Sequence, residues 1–129
     1  MNDHHQAPPG LSPAPGYSHV VSGAGRLVLV SGQVALDEGG NVVAPGDVVG
    51  QADQVFRNLG HALAAAKASF GDVVKLNVYV TDITALPAVR QVRDRYVDTA
   101  RPLASTAVQV GGLVRPEFLI EIDAFAIVN

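Results

Sequence analysis

Hydrophobic and polar positions along the chain follow two rhythms, one typical of strands and one typical of helices. Two short strand-like stretches, 17–22 and 26–31, flank Gly23-Ala24-Gly25 and predict a hairpin. After Asp47, a candidate N-cap, apolar residues recur at helical spacing from 48 to about 69. The first half of the chain therefore predicts two strands followed by a long amphipathic helix.

The second half of the chain continues the alternation. Residues 73–81 alternate aliphatic with polar side chains and predict a strand, and residues 84–99 return to helical spacing. Pro87 lies in the first turn of this second helix, where its missing N–H does no harm. Two further strands are predicted over 103–110 and 118–128.

The order of these elements, β-β-α-β-α-β-β, predicts one α+β domain over residues 17–129. We expect two layers, with both helices on one face of a mixed sheet. Residues 1–16 are rich in proline and have little to bury, so a flexible, extended arm is expected there. The uncovered sheet face would stay bare and apolar in a single subunit, and packing copies of it together would give a closed, barrel-like core.

The composition supports an oligomer. The chain is 48% hydrophobic and 16% charged, whereas about 25% charged residues is usual. A lone domain of this size leaves much of its area exposed to water. The excess of aliphatic residues is what a subunit with buried faces between copies would show.

Charge and hydropathy exclude several classes of partner. The net charge is −3 and no basic stripe is present, which argues against nucleic acid. No apolar run reaches the roughly 18 residues needed to span a bilayer. The first 16 residues lack the apolar core of a signal peptide, so a cytoplasmic protein is expected.

No pattern for a metal or an organic cofactor is found. The adjacent His4 and His5 lie in the Pro-rich segment, where solvated side chains are expected, and His61 reads as a surface residue of the first helix. The glycines at 23, 25 and 32 do not form a G-x-G-x-x-G loop, and cysteine is absent. We therefore expect no metal and no cofactor.

Two acidic residues interrupt the last apolar strand. Glu121 and Asp123 are two positions apart, so they point to the same face of the sheet. An acid in an apolar strand is costly unless it is paired, hydrogen-bonded or solvated. One interpretation is a partner charge such as Lys75 or Arg115. The other is that Glu121 faces a pocket and serves in general acid–base work.

Other polar residues lie at the ends of apolar elements. Ser31-Gly32-Gln33 closes the second strand and is either an ordinary strand-ending turn or part of a binding site. Arginines could hold a carboxylate by forked hydrogen bonds; the candidates are Arg90, Arg93, Arg101 and Arg115. Those of the second helix are explained more simply as part of a solvated face.

Taken together, these segments resemble the Rid (reactive intermediate deaminase, or YjgF) family. The similarity extends from Tyr17 to Val128. Each matching stretch is short, but their order and spacing are distinctive. They are Pro15-Gly16-Tyr17, Leu29-Val30-Ser31-Gly32-Gln33, Asn58-Leu59, Gly71-Asp72-Val73-Val74-Lys75, Val78-Tyr79-Val80-Thr81-Asp82 and Ile120-Glu121-Ile122-Asp123-Ala124.

The resemblance implies a homotrimer of chorismate-mutase-like subunits around a central barrel, with small-molecule pockets in the clefts between subunits. Active members hydrolyse small imines and enamines to ketones and ammonia without a cofactor. An arginine holds the substrate carboxylate and a positioned water attacks the iminium carbon. The residues that match the family's pocket are Tyr17, Ser31, Gly32 and Gln33, with Glu121 as the acid.

The chain departs from the family at the substrate-binding arginine. That arginine is expected near the start of the penultimate strand, where counting back from Leu113 gives Ser105 and counting forward from Pro102 gives Ala104. A hydroxyl cannot form the bidentate carboxylate pair. A pocket asparagine of many members is replaced by Arg90, and Arg101 precedes the strand.

Three hypotheses follow. The first is an enzyme that acts on another small imine, enamine or similar intermediate through Ser105, Gln33, Tyr17 and Glu121. The second is a small-molecule-binding or regulatory trimer without turnover. The third is a deaminase of 2-aminoacrylate or 2-iminobutanoate type with a relocated cation, Arg90, Arg101 or Arg115.

Overall fold

The computed structural model describes residues 1–129 and contains one four-stranded sheet covered by two helices. The strands of the sheet are β3 (Arg26–Gln33), β4 (Val73–Val80), β5 (Ala104–Gln109) and β6 (Ile120–Val128). They lie side by side in the order β3-β6-β4-β5. The central pairs β3/β6 and β6/β4 are antiparallel, whereas β4 and β5 are parallel. The predicted α+β architecture with a mixed sheet is confirmed.

Both helices pack on the same face of the sheet. They are α1 (Val48–Ala65) and α2 (Leu86–Arg93). Asp47 caps α1 as predicted, since its carboxylate accepts hydrogen bonds from the backbone N–H groups of Val49 and Gly50 at 3.1 and 3.2 Å. The buried aliphatic side chains of α1 meet the inward-facing residues of the strands in one core.

Both helices end earlier than their apolar periodicity predicts. Helix α1 ends because Lys67 has a left-handed backbone conformation, with φ of 56°. The Lys67 N–H donates to the Ala64 carbonyl, and the Ala68 N–H donates to the Leu63 carbonyl. After α2 the chain continues as tight turns. Tyr96 still packs there, stacked on Phe56 with ring centroids 5.3 Å apart.

A separate two-stranded sheet holds the N-terminal segment, which alters two expectations. β1 (Asp3–His5) pairs antiparallel with β2 (Val20–Ser22), so part of the expected extended arm is in a sheet. β2 does not form a hairpin with β3, because the chain at Gly25 turns against the Val128 backbone and leads β3 along β6. Neither helix has the length and apolarity that crossing a membrane requires.

The sheet has one covered and one open face. Along β6, Ile120, Ile122 and Ala124 are fully buried beneath the helices, whereas the residues between them are half-buried or exposed. Leu27, Leu29 and Phe125 are exposed on the open side, at 61, 65 and 43%. The predicted uncovered face is therefore present in the subunit, but it is apolar only in part, because the open-face residues of β4, Lys75, Asn77 and Tyr79, are polar.

Candidate functional site

The two acids of β6 lie on the open face, as their spacing predicted. Glu121 pairs across the sheet with Tyr79, and Asp123 pairs with Asn77. Asp123 accepts hydrogen bonds from Asn77 Nδ2 at 2.8 Å and from the Tyr79 hydroxyl at 3.1 Å. The bond to Asp123 raises the pKa of Tyr79 above its usual value. Asp123 therefore holds two neighbouring strand side chains in place.

The environment of Glu121 differs from that of Asp123. Its carboxylate lies against Gly32, where a Cβ built on the glycine would be 2.3 Å from Glu121 Oε2. The two cations proposed as its partners bind elsewhere: Lys75 Nζ donates to Thr106 Oγ1 at 2.7 Å, and Arg115 lies beside the carboxylate of Glu117. The partner-charge interpretation of Glu121 does not hold for either cation.

The end of β3 brings Ser31, Gly32 and Gln33 next to this acid. Gln33 Nε2 donates to the Ser31 carbonyl at 3.1 Å. The strand is irregular here, since the pairing with β6 shifts register between Val30 and Gln33. This irregularity opens the backbone at Gly32 toward the Glu121 carboxylate. We call the group formed by Ser31, Gly32, Gln33 and Glu121 the β3 half-site.

A groove of about 790 Å³ continues from the β3 half-site to helix α1. On the side of the helix, the groove is lined by Gln54, Asn58 and the exposed His61. The apolar periodicity of α1 assigned none of these three residues to a site, because it marks only the packing face of the helix. Asn58 Nδ2 donates to the carbonyls of Val34 and Leu36 at 3.0 and 2.9 Å and so fixes the loop after β3. The spacing of these polar residues, four and three apart, was the signal available in the sequence.

A second group of predicted site residues lines a cavity of about 240 Å³ between α2 and β5, which we call the α2 cavity. Tyr17, Arg90 and Ser105 are all in its wall. Ser105 pairs with the fully buried Leu76, so its side chain shares the helix-covered face of the sheet. Tyr17 also contacts His19 edge to face, with ring centroids 5.4 Å apart.

The four candidate arginines have different surroundings. Arg93 lines the α2 cavity but forms an ion pair with Asp94 at 3.0 Å. Arg101 donates from a terminal nitrogen to the Asn2 carbonyl at 2.6 Å, away from the other site residues. Arg115 lies over the Phe118 ring, 5.2 Å from its centroid. Arg90 lines the cavity, is exposed and takes part in none of the ion pairs.

The two groups are separated within the sheet, because Glu121 is on the open face of β6 whereas Ser105 is on the helix-covered face of β5. β3 and β5 are the edge strands, with β6 and β4 between them. Two strand spacings, about 10 Å, separate β6 from β5, and three, about 14 Å, separate β3 from β5. The structure thus brings Glu121 together with Ser31, Gly32 and Gln33, and Ser105 with Tyr17 and Arg90. It does not bring Ser105 to Glu121 within one subunit.

The side chains of both groups can donate and accept hydrogen bonds and protons. Hydroxyl, amide, guanidinium and carboxylate groups are present, and no cluster of three or more histidine or acidic side chains is arranged to hold a metal ion. Residue 104, the other candidate for the missing arginine, is an alanine at the start of β5. Neither position of this strand supplies a cation.

Comparison with known proteins identifies the family. The family model described as Endoribonuclease L-PSP matches residues 6–128. Protein DfrA of Myxococcus xanthus is 39% identical over 123 residues, which cover 95% of this chain and 90% of DfrA. The mouse (Mus musculus) 2-iminobutanoate/2-iminopropanoate deaminase is 36% identical, with 95% of this chain and 86% of that protein covered.

A solved structure gives the same result. The Rid-family protein YyfB of Yersinia pestis, described as of unknown function, superposes with a TM-score of 0.87 at 34% identity. The alignment covers 98% of both chains. The fold, the family model and these relatives agree with the motifs found in the sequence, and the chain belongs to the Rid (YjgF) family.

Proposed function

We propose that this protein hydrolyses a small imine or enamine to a carbonyl compound and ammonia in a cleft between two subunits. The observation that carries the proposal is the division of the site residues between opposite faces and different strands of one sheet. A small substrate cannot contact Glu121 on the open face and Ser105 on the covered face of the same sheet at once. In a cyclic trimer, the β5 edge of one subunit meets the β3 edge of the next, and each cleft combines one half-site with one α2 cavity.

The open face of the sheet supports this assembly. Leu27, Leu29 and Phe125 form an exposed apolar surface on adjacent strands. Burying such a surface between copies is favourable by about 25 cal/mol per Å². Three sheets joined in this way form the expected barrel and leave no free β3 or β5 edge.

The chemistry needs few groups. Glu121 positions a water molecule and accepts its proton as the water oxygen bonds to the C=N carbon. The same carboxyl group then gives that proton to the nitrogen of the tetrahedral adduct. The C–N bond breaks with its electron pair on the departing ammonia, and the hydroxyl proton passes to the carboxylate as the carbonyl forms. An enamine first takes a proton at carbon from the carboxyl group of Glu121 and becomes the iminium, which leaves the carboxylate that accepts the proton of water. Tyr17 and Ser105 are hydrogen-bonding groups for the substrate from the adjacent subunit.

The relatives support the reaction class. The mouse relative is named as a deaminase of 2-iminobutanoate and 2-iminopropanoate. The expected arginine is absent here, since β5 has Ala104 and Ser105 at the two candidate positions. This absence favours a second candidate function, a trimer that binds a small molecule in the same cleft without turnover.

The test is a coupled assay. An amino-acid oxidase generates 2-imino acids in the presence of a carbonyl-trapping reagent, and release of the 2-oxo acid is followed with and without the protein. We expect acceleration by the wild type and a loss of roughly 100-fold or more in Glu121→Gln. The matched control is Glu117→Gln, an exposed acid outside both groups.

The outcomes separate the two candidates. Acceleration that is lost in Glu121→Gln and kept in Glu117→Gln supports hydrolysis. A wild type that releases product no faster than buffer, but binds the 2-oxo acid in a calorimeter, supports the binding trimer. A Glu121→Gln variant as fast as the wild type would contradict the role given to this carboxylate.

A further inference from the structure

The α2 cavity combines one unpaired cation with an apolar interior. Six of its nine lining residues are hydrophobic, and its volume is about 240 Å³. The apolar part is formed by Phe56, Val78, Leu86, Val89 and Ala107, together with the ring of Tyr17. Such a cavity is complementary to a ligand that has an apolar portion and one anionic or strongly polar end.

Arg90 is the cation available to that anionic end. The neighbouring Arg93 points to the same cavity, but its side chain is only 11% exposed and is bound to Asp94 through both Nε and a terminal nitrogen. Binding a ligand through Arg93 would break this pair. Arg90 is exposed and can meet a carboxylate without such a loss.

The position of Arg90 on α2 directs it over the cavity. Leu86 is four residues before it and Arg93 three residues after it, so the three share one face of the helix. All three line the cavity, whose opposite wall carries Ser105 and Ala107 of β5. The guanidinium group of Arg90 can donate hydrogen bonds to both oxygens of a carboxylate, and the Ser105 hydroxyl can form a hydrogen bond with a third polar atom of the ligand.

We propose that Arg90 takes the place of the missing β5 arginine as the carboxylate-binding residue, and that the substrate is a 2-imino acid with a bulky apolar side chain. The cavity volume sets the size, since 240 Å³ is the liquid volume of about eight water molecules at about 30 Å³ each. A side chain of leucine or phenylalanine size fits this space, whereas a methyl group leaves most of it empty. This inference rests on the proposed function for the reaction and adds to it the residue and the substrate class.

The experiment measures binding apart from turnover. The stable product 4-methyl-2-oxopentanoate and its methyl ester are titrated into wild type, Arg90→Gln and the control Arg95→Gln by calorimetry. Arg95→Gln removes the same charge from an exposed position nearby, outside the cavity. We expect Arg90→Gln to weaken binding of the acid roughly 10- to 100-fold. The ester should bind all three proteins with the same affinity, because it lacks the anionic group.

The coupled assay adds a second readout. For the imine of leucine, Arg90→Gln should raise KM and leave kcat close to the wild-type value, since a binding contact is lost. The wild type should prefer this imine to that of alanine. No binding of the acid by the wild type, equal weakening by Arg90→Gln and Arg95→Gln, or a preference for the alanine imine would each overturn the inference.

The two proposals can fail separately. If the acid binds through Arg90 and no imine is hydrolysed, the reaction is wrong and the ligand class is right. If imines are hydrolysed and Arg90→Gln changes neither KM nor affinity for the acid, the reaction stands and the role of Arg90 is refuted.

Discussion

Replacing Gly32 by alanine tests how the β3 half-site places its carboxylate. The added Cβ would lie 2.3 Å from Glu121 Oε2 and 2.8 Å from Glu121 Cδ. The favourable separation of non-bonded heavy atoms is about 3.5 Å, so the carboxylate has to retreat by about 1 Å. A displacement of that size can lower the rate of a positioned reaction about 100-fold. We expect a loss of this order in the coupled assay.

The fold should tolerate the same change. Gly32 is not among the glycines with positive φ, so alanine fits its backbone, and the position is exposed. The free energy of unfolding should change by less than about 1 kcal/mol, measured by urea denaturation. The control is Gly111→Ala, where a Cβ meets nothing within 4 Å. A Gly32→Ala variant as active as the control would refute the placement of Glu121.

Three further predictions concern stability. In Gln51→Leu, the half-buried Leu119 N–H loses its acceptor at 2.8 Å and the Glu117 carbonyl its donor at 2.9 Å. Urea denaturation should therefore show a total loss of about 1–3 kcal/mol in the free energy of unfolding. Asp47→Ala removes the N-cap of α1 and should lower the free energy of unfolding by about 1 kcal/mol in the same measurement. Asp47→Asn should keep most of the wild-type stability, because asparagine also caps helices. Hydrogen bonding from Thr84 is the main cause that lowers the pKa of Asp82 in the folded protein. The Asp82 carboxylate therefore stabilises the fold fully above the ordinary aspartate pKa of about 3.9, and this contribution is lost as the pH falls through the lower pKa of the folded state. The difference in thermal midpoint between wild type and Asp82→Asn should therefore be constant near neutral pH and shrink below about pH 4; a difference that grows on acidification would contradict this.

Periodicity was sufficient for the architecture because each main element buries one regular face. The alternation in Val73–Val80 and in Ile120–Val128 appears directly as alternating burial. The N-terminal strand was beyond this reasoning. Its three residues, Asp3–His5, have no hydrophobic pattern, and neighbouring Asn2 is fixed by contacts with Ile127 and Asn129 at the other end of the chain.

The site was only partly predictable for a related reason. Motif spacing identified Glu121 and Gly32, but counting along the chain left the arginine position at either 104 or 105. The direction of Ser105 depends on its pairing with Leu76 of a distant strand, which no local pattern reveals. Similarly, the arginines looked equivalent in sequence, and only their partners in the fold distinguish Arg90 from Arg93 and Arg101.

The central claim, that one catalytic cleft takes Glu121 from one subunit and Tyr17 from another, can be tested by mixing inactive variants. Glu121→Gln and Tyr17→Ala are each expected to be inactive alone, and the two chains are co-refolded in equal amounts. In a cyclic trimer, every mixed assembly has one cleft with both intact groups, so activity should return to about one quarter of the wild-type value. No recovery in assemblies proven to be mixed would contradict the shared cleft and place the whole site within a single subunit.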